Sequence, residues 1–373
     1  MRQQPGRPFN IGSDGWPRIG CAARNTHSRC DGDPGLADIG VVYLYRFAEG
    51  ELPARDFLAS YRAHAAGVDH DLHVIFKGFP DRRALASAQT MFAGLPIRAI
   101  ELDDTGFDVG SYFAAAKLVS NRRLVFFNTF SELLTDDWLK KFDTALSHPE
   151  VGLVGATGSW QSLSSYYEAV IGIARYEIML FLNRLREFTT GARHPKEGQD
   201  IEIEDDGNRD TRGVVKRRII ARIGRGFDHL FRLDRYVLYL FQYARYPNPH
   251  VRSNAFMIER DRFLSLRRPP FNKKHALYQF ESGRRSMTKQ IEAQGLKPVV
   301  VGRNGKFYNT SEWKASATFW NNQQANLIAA DNRTRQYANA TEVGRARLRD
   351  YAWVAPSSWT FKAHRTPLEI DGR

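Results

Sequence analysis

Short apolar runs and helical apolar spacings alternate along the chain from residue 38 onward. "DIGVVYLYRF" (38–47) is β-branched and aromatic, as a buried strand requires, and "PARDFLASYRAHAAG" follows with Phe57, Leu58 and Tyr61 at helical spacing. "LHVIFKGF" (72–79) predicts a second strand, "DRRALASAQTMFAG" (81–94) a helix and "IRAIELD" (97–103) a third strand. "DVGSYFAAAKLVS" (108–120) reads as a helix opened by Asp108 as its cap. "RLVFFN" is the fourth strand, and a polar turn and the acidic pair Asp136–Asp137 lead into a further helix. "VGLVGATGSW" (151–160) adds a strand and a glycine-rich turn. Strands alternating with helices predict an α/β fold with right-handed crossovers and ligands at the carboxyl ends of the strands.

The pattern then changes. "SYYEAVIGIARYEIMLFLNRLREF" (165–188) has the spacing of a long amphipathic helix, an acidic loop-like stretch follows, and residues 214–247 mix Arg and Lys with large apolar residues. Strand and helix signals resume at "NAFMIERDRFLSL" (254–266) and "GLKPVVVGRNG" (295–305). The chain therefore divides into a glycine- and proline-rich flexible leader (1–36), a first α/β half (37–164), a helical, basic insertion (165–246), a second half (247–340) and a C-terminal tail (341–373). The amide-rich stretch 317–340 lacks catalytic spacing and is expected to close over a site or cap the fold.

Composition narrows the partners. The 373 residues carry a formal charge of +13, which favours anionic ligands: nucleotide-sugar phosphates, acidic headgroups or nucleic acid. Cys21 and Cys30 are the only cysteines, too few for a disulfide scaffold or a four-cysteine zinc site. No apolar core of a signal peptide opens the chain and no apolar run reaches the roughly 20 residues of a membrane span, so a cytoplasmic protein is expected. The basic, apolar-striped stretch 214–247 suits the inner face of an anionic membrane.

The order of "VVYLYRFAEG", "LHVIFKGF", "LDDTGFDVGSYFAAA" and "LVFFNTFSELLTDDWLKKF" resembles the GT-A-fold glycosyltransferases of family two and of bacterial polysaccharide synthesis. The resemblance covers roughly residues 38–160 and, more loosely, 247–330. It implies a GT-A-like Rossmann-type mixed sheet flanked by helices, here with a helical insertion. It also implies a nucleotide-sugar donor bound by the first half and a saccharide acceptor bound by the second.

What the resemblance implies about residues departs from the family at two places, the first being the end of the second strand, where Lys77, Gly78 and Phe79 stand in place of aspartates that contact the nucleotide in many members. The fourth strand of such enzymes ends in an Asp-x-Asp turn whose carboxylates hold a divalent metal. Asn128 and Phe130 stand at those positions, so no cofactor is expected and a divalent metal is not favoured, the Asn128 carbonyl with Ser131 or Glu132 being the ligands such a metal would have to use. The implied donor contacts are Asp103, Asp104, Asp108, Asn128 and Arg303. Glu281, in "FESG", falls where the family places its general base, and His250, Arg252, Asn254, Tyr278 and Trp313 fall on the acceptor side. Without a metal, cations must offset the charge of the departing diphosphate, for which Arg252, Lys273, Lys274, Arg284 and Arg303 are candidates.

These features point to an inverting, metal-independent glycosyltransferase acting on a saccharide or lipid-linked saccharide in cell-surface polysaccharide synthesis. A catalytically inactive saccharide- or partner-binding protein is the alternative that Asn128 and Phe130 favour. A nucleic-acid-binding protein fits the charge, but no motif for nucleic acid is present and none is expected as a partner.

Overall fold

The computed structural model of the protein describes residues 37–169, 172, 179, 182 and 239–358. The apolar runs become β1 (Ile39–Arg46), β2 (Asp71–Lys77), β3 (Ile97–Leu102), β4 (Arg123–Phe127), a two-residue β5 (Glu132–Leu133), β6 (Val151–Gly155) and β7 (Gly158–Ser159). After the middle block come β8 (His250–Val251), β9 (Ala255–Glu259), β10 (Lys297–Val301), β11 (Phe307–Tyr308) and β12 (Ala329–Ala330). Eight strands form one sheet in the order β11-β10-β6-β9-β4-β1-β2-β3. β9 runs antiparallel between β4 and β6, and β11 antiparallel to β10, while the other six strands are parallel. The architecture is α/β, the GT-A-like mixed sheet flanked by helices that the sequence predicts.

The period-two pattern of the strands sorts their side chains into two layers. Val42 and Leu44 of β1, Leu124 and Phe126 of β4, and Phe256 and Ile258 of β9 enter one core, with Tyr112, Phe113, Phe263 and Phe280. Their alternates Val41, Tyr43, Val125, Phe127, Ala255 and Met257 enter the other, with Phe57, Trp138 and Phe142. Tyr43 stacks on Phe57 with ring centres 3.7 Å apart, and Phe113 on Phe263 at 4.1 Å. With both faces covered, ligands are left the ends of the sheet.

Two local readings differ from the structure. Asp108 does not cap its helix: the helix spans Phe107–Leu118, its cap is Gly106 in the left-handed region (φ 76°), and Asp108 lies in the first turn. Glycine reaches that conformation without a Cβ clash, which moves the start of the helix upstream. Within the stretch read as a tail, Glu342–Trp353 form a helix that contributes Leu348, Tyr351 and Trp353 to the core. The leader lies outside the described residues, as do residues 359–373. Of the insertion, residues 163–169 and 239–242 are helical, and residues 214–238 of the basic stretch lie outside those described.

Candidate functional site at the carboxyl end of the sheet

The ends of β1, β2 and β3 bring together a set of charges. Arg46, the last residue of β1, grips Asp104 with two parallel bonds, Nε to Oδ1 at 2.8 Å and Nη2 to Oδ2 at 2.7 Å, and reaches Glu49 through Nη1 at 2.7 Å. Asp104 can sit there because Gly78, at φ 71°, leaves room: a Cβ on Gly78 would come within 2.8 Å of the Cβ of Asp104. Lys77 ends β2 with its side chain 1% exposed, and its Nζ donates to the carbonyl of Phe107 at 2.7 Å and lies 3.9 Å from Asp104. Burial pushes the Lys77 ammonium below the usual lysine range, against the pull of Asp108 and Asp104. Burial likewise pushes the Asp108 carboxyl up, opposed by Lys77 and Arg46 and reinforced by Glu49 and Glu281. Both groups are thus moved toward their neutral forms. Asp104 moves the other way, because the Arg46 hydrogen bonds favour its charged form. Asp103 is exposed beside it.

Glu281 approaches from the second half of the chain. It lies near the end of the helix Lys274–Ser282, where its Oε2 accepts hydrogen bonds from the Ser253 backbone N–H at 2.9 Å and from the Ser253 hydroxyl. Oε1 accepts none among the described residues. The Glu281 charge adds to the burial that raises the carboxyl of Asp108 and opposes the burial that lowers His250. Tyr278 stands one helical turn before Glu281. The hydroxyls of Tyr112 and Tyr243 and the Nδ2 of Asn254 are buried without a hydrogen-bond partner, and both tyrosines feel the Glu281 charge.

The β4 turn is built differently. Asn128 is 8% exposed and Thr129 3%. The Asn128 Oδ1 accepts from the Phe130 N–H at 3.2 Å and from the Ser131 hydroxyl at 2.9 Å, holding the turn from within. Tyr43 donates to the Thr129 carbonyl at 2.9 Å, and Arg335 clasps the Phe130 carbonyl at 3.1 Å and Glu132 at 2.9 Å. β12 pairs with β5 alongside, so the amide-rich stretch covers this turn. Asp331, fully buried, accepts from Arg252 at 3.0 Å and from the Thr334 N–H at 2.8 Å. Burial alone would raise its carboxyl, yet Arg252 and Thr334 together hold it below the usual range. The cover contains a left-handed turn of three consecutive non-glycine residues, Asn322, Gln323 and Gln324, at φ 44°, 52° and 55°. Each such residue costs roughly 1–2 kcal/mol. Gln324 is fixed by its Nε2 on the Thr334 carbonyl at 3.0 Å.

The structure places Asp103, Asp104 and Asp108 after β3, and His250, Tyr278 and Glu281 on the side of β9, four strand positions away, with the other predicted residues apart from both. Arg303 is exposed in the β10–β11 hairpin. β10 lies five strand positions from β2, roughly 24 Å at about 4.8 Å per strand. Arg252 is engaged by Asp331 and by the Phe319 ring, 4.4 Å below its guanidinium. Asn254 is buried, its Oδ1 bonded to the Thr157 hydroxyl at 2.9 Å, and Trp313 is fully buried with its Nε1 on the Tyr308 carbonyl at 2.9 Å. His250 is also buried, its Nδ1 2.8 Å from the Asn248 carbonyl.

A divalent metal at the β4 turn would need oxygen ligands. Asn128 has its carbonyl engaged and Phe130 offers no side-chain donor, so these residues do not fit one. Among the described residues no group of three His, Cys, Asp or Glu could hold a metal elsewhere. Arg46 and Lys77 are not marked by the sequence as ligand-binding residues, Lys77 entering only as a departure from the family at the end of the second strand, and Ser253 is not marked at all. The signal for the first two is position, a cation as the last residue of a parallel strand; for Ser253 there is none, since its partner is 28 residues away.

No protein-family model and no curated protein matches the chain. Solved structures do. A mannosyltransferase from Pyrobaculum calidifontis, PcManGT in complex with GDP-Man and Mn2+, is 15% identical over 33% of this chain and 36% of its own, with a TM-score of 0.28. S. aureus TarS 1–349 is 13% identical over 31% of this chain and 34% of its own, with a TM-score of 0.26, and its complex with UDP-GlcNAc gives the same identity and TM-score. The chain thus spans about a third of the length of the solved structures it matches. An overlap of this extent places no substrate on the chain.

Proposed function

We propose that the protein is a glycosyltransferase that moves a sugar from a nucleotide-sugar donor to a saccharide or lipid-linked saccharide acceptor in cell-surface polysaccharide synthesis, with inversion and without a metal. The observation that supports this best is the setting of Glu281: one carboxylate oxygen is fixed by two donors of Ser253, just beyond the carboxyl end of β4, and the other accepts no hydrogen bond among the described residues. In this reading Oε1 takes the proton of the acceptor hydroxyl as that oxygen attacks the anomeric carbon, and the bond from that carbon to the diphosphate oxygen breaks. The nucleoside diphosphate leaves with the bonding pair. Arg46, partly exposed and shared with Asp104 and Glu49, would offset its charge, while Lys77 stays buried on the Phe107 carbonyl. Asp103, Asp104 and Asp108 would bind donor hydroxyls, with Tyr278 and His250 bordering the acceptor. Residues 37–164 then serve the donor and 247–340 the acceptor, and the basic stretch 214–247 would hold the enzyme at the inner face of a membrane. Among the described residues no helix is long and apolar enough to cross one.

The second reading, a saccharide- or partner-binding protein without catalysis, is favoured by the internal engagement of Asn128 and the cover over its turn. A panel of nucleotide-sugars scored by thermal stabilisation separates the two, because a ligand that binds only the folded state raises its unfolding midpoint. A stabilising donor whose turnover persists in EDTA and falls about 10²- to 10⁴-fold in Glu281→Gln, with an unchanged midpoint, supports transfer. Stabilisation by a saccharide and by no nucleotide-sugar would select the binding protein.

A further inference from the structure

We propose that a surface carrying Arg267, Arg268, Arg284, Arg285 and Phe241 docks the protein on an anionic phospholipid membrane. This deepens the membrane reading of residues 214–247, which include Phe241, and rests on that reading while not depending on Glu281.

Between residues 260 and 290 the chain has nine Lys and Arg against two carboxylates, Asp261 and Glu281. The Ser253 contacts hold the second, and Arg260 the first. Arg267, Arg268, Arg284 and Arg285 are all exposed, and among the described residues none of them is within ion-pair distance of a carboxylate. They come from two loops that one side chain ties together: Gln290 Nε2 donates to the Arg267 carbonyl at 2.8 Å and to the Arg285 carbonyl at 3.0 Å, while its Oε1 accepts from the Arg267 N–H at 2.7 Å. Gln290 thus ties the backbones of Arg267 and Arg285 to each other, and the Arg268 guanidinium lies 5.0 Å from the centre of the Phe113 ring.

Phe241 completes the surface. The Arg284 N–H donates to the Gln242 carbonyl at 2.7 Å and its Nη2 to the Leu240 carbonyl at 3.3 Å, which sets the turn bearing Phe241 against the arginines. Phe241 is 76% exposed. Exposed guanidinium groups that lack a carboxylate partner among the described residues, together with a ring that faces water, match the headgroup region, where cations meet phosphates and an aromatic enters the acyl boundary. A soluble polyanion would use the arginines and leave the ring in water, which is why the membrane is preferred. Arg284 follows the helix that carries Glu281 by two residues, so docking here would bring that end of the helix close to the bilayer.

The test is co-sedimentation of the full chain with vesicles of phosphatidylcholine alone and of phosphatidylcholine with phosphatidylserine. The protein is expected to partition onto the second and not the first, with binding weakened by salt. R267Q/R268Q/R284Q/R285Q should lower that partition on the order of a hundredfold or more, and Phe241→Ser by about tenfold, with unchanged unfolding midpoints. If the quadruple variant is destabilised, R284Q/R285Q alone should still show a loss of about tenfold or more. Anionic-vesicle binding undiminished in these variants overturns the proposal. So does wild-type protein that binds soluble polyphosphate and does not sediment with anionic vesicles.

Discussion

Two neighbouring stretches at the same end of the sheet use polar residues in opposite ways. Around β1 to β3, Arg46 and Asp104 pair in partial contact with solvent, with side chains 35% and 38% exposed, and Asp103 stands exposed beside them. Around β4, β5 and β12, the same kinds of groups are enclosed: Asn128 closes its own turn, and Asp331 has Arg252 and Thr334 as partners with no exposed surface. The difference is access to water. A covered turn must satisfy its polar atoms internally, which fixes its shape and leaves little for a ligand. An open edge can leave polar groups for a ligand to use.

Replacing single residues tests how deep that difference runs. Arg252→Ala leaves a buried carboxylate without its cation and should lower unfolding free energy by about 3–5 kcal/mol in denaturant titration. If the loss is no larger than that of a surface pair, the cover is looser than described. Asn128→Ala takes the acceptor from the Phe130 N–H and the Ser131 hydroxyl, for an expected loss of about 1–3 kcal/mol by the same titration. Arg46→Ala, on the open side, should change stability by about 1 kcal/mol or less, since water replaces its contacts. Its effect belongs instead in nucleotide-sugar affinity, read as a smaller thermal shift than wild type; equal shifts would separate Arg46 from donor binding.

The open side was more legible in the sequence than the covered one, and burial explains why. β1, β2, β4 and β6 announce themselves as apolar runs because both faces of each strand are covered, whereas the edge strand β3 exposes Arg98, Ala99 and Glu101. β5 and β12 have two residues each, too short to carry a period, and their pairing joins positions about two hundred residues apart. The helix Glu342–Trp353 was read as tail because Arg345, Arg347, Arg349 and Asp350 dominate its composition, and only its last turns face the core. Glu281 is proposed from its resemblance to a family position; the Ser253 that orients it and the Arg252–Asp331 pair exist only through tertiary contact. Asp108 does not cap its helix, because glycine two residues earlier has the stronger claim on the helix start.

The antiparallel β9 has a consequence for biosynthesis. β6 reaches the sheet only through β9, and β9 follows it by about a hundred residues. As the nascent chain emerges amino end first, β4 presents a bare edge until residue 255 is made, a ready template for misassociation between copies. Such long-range closure is slow. Production of this protein should therefore depend on translation speed and chaperone supply more than its final core would suggest.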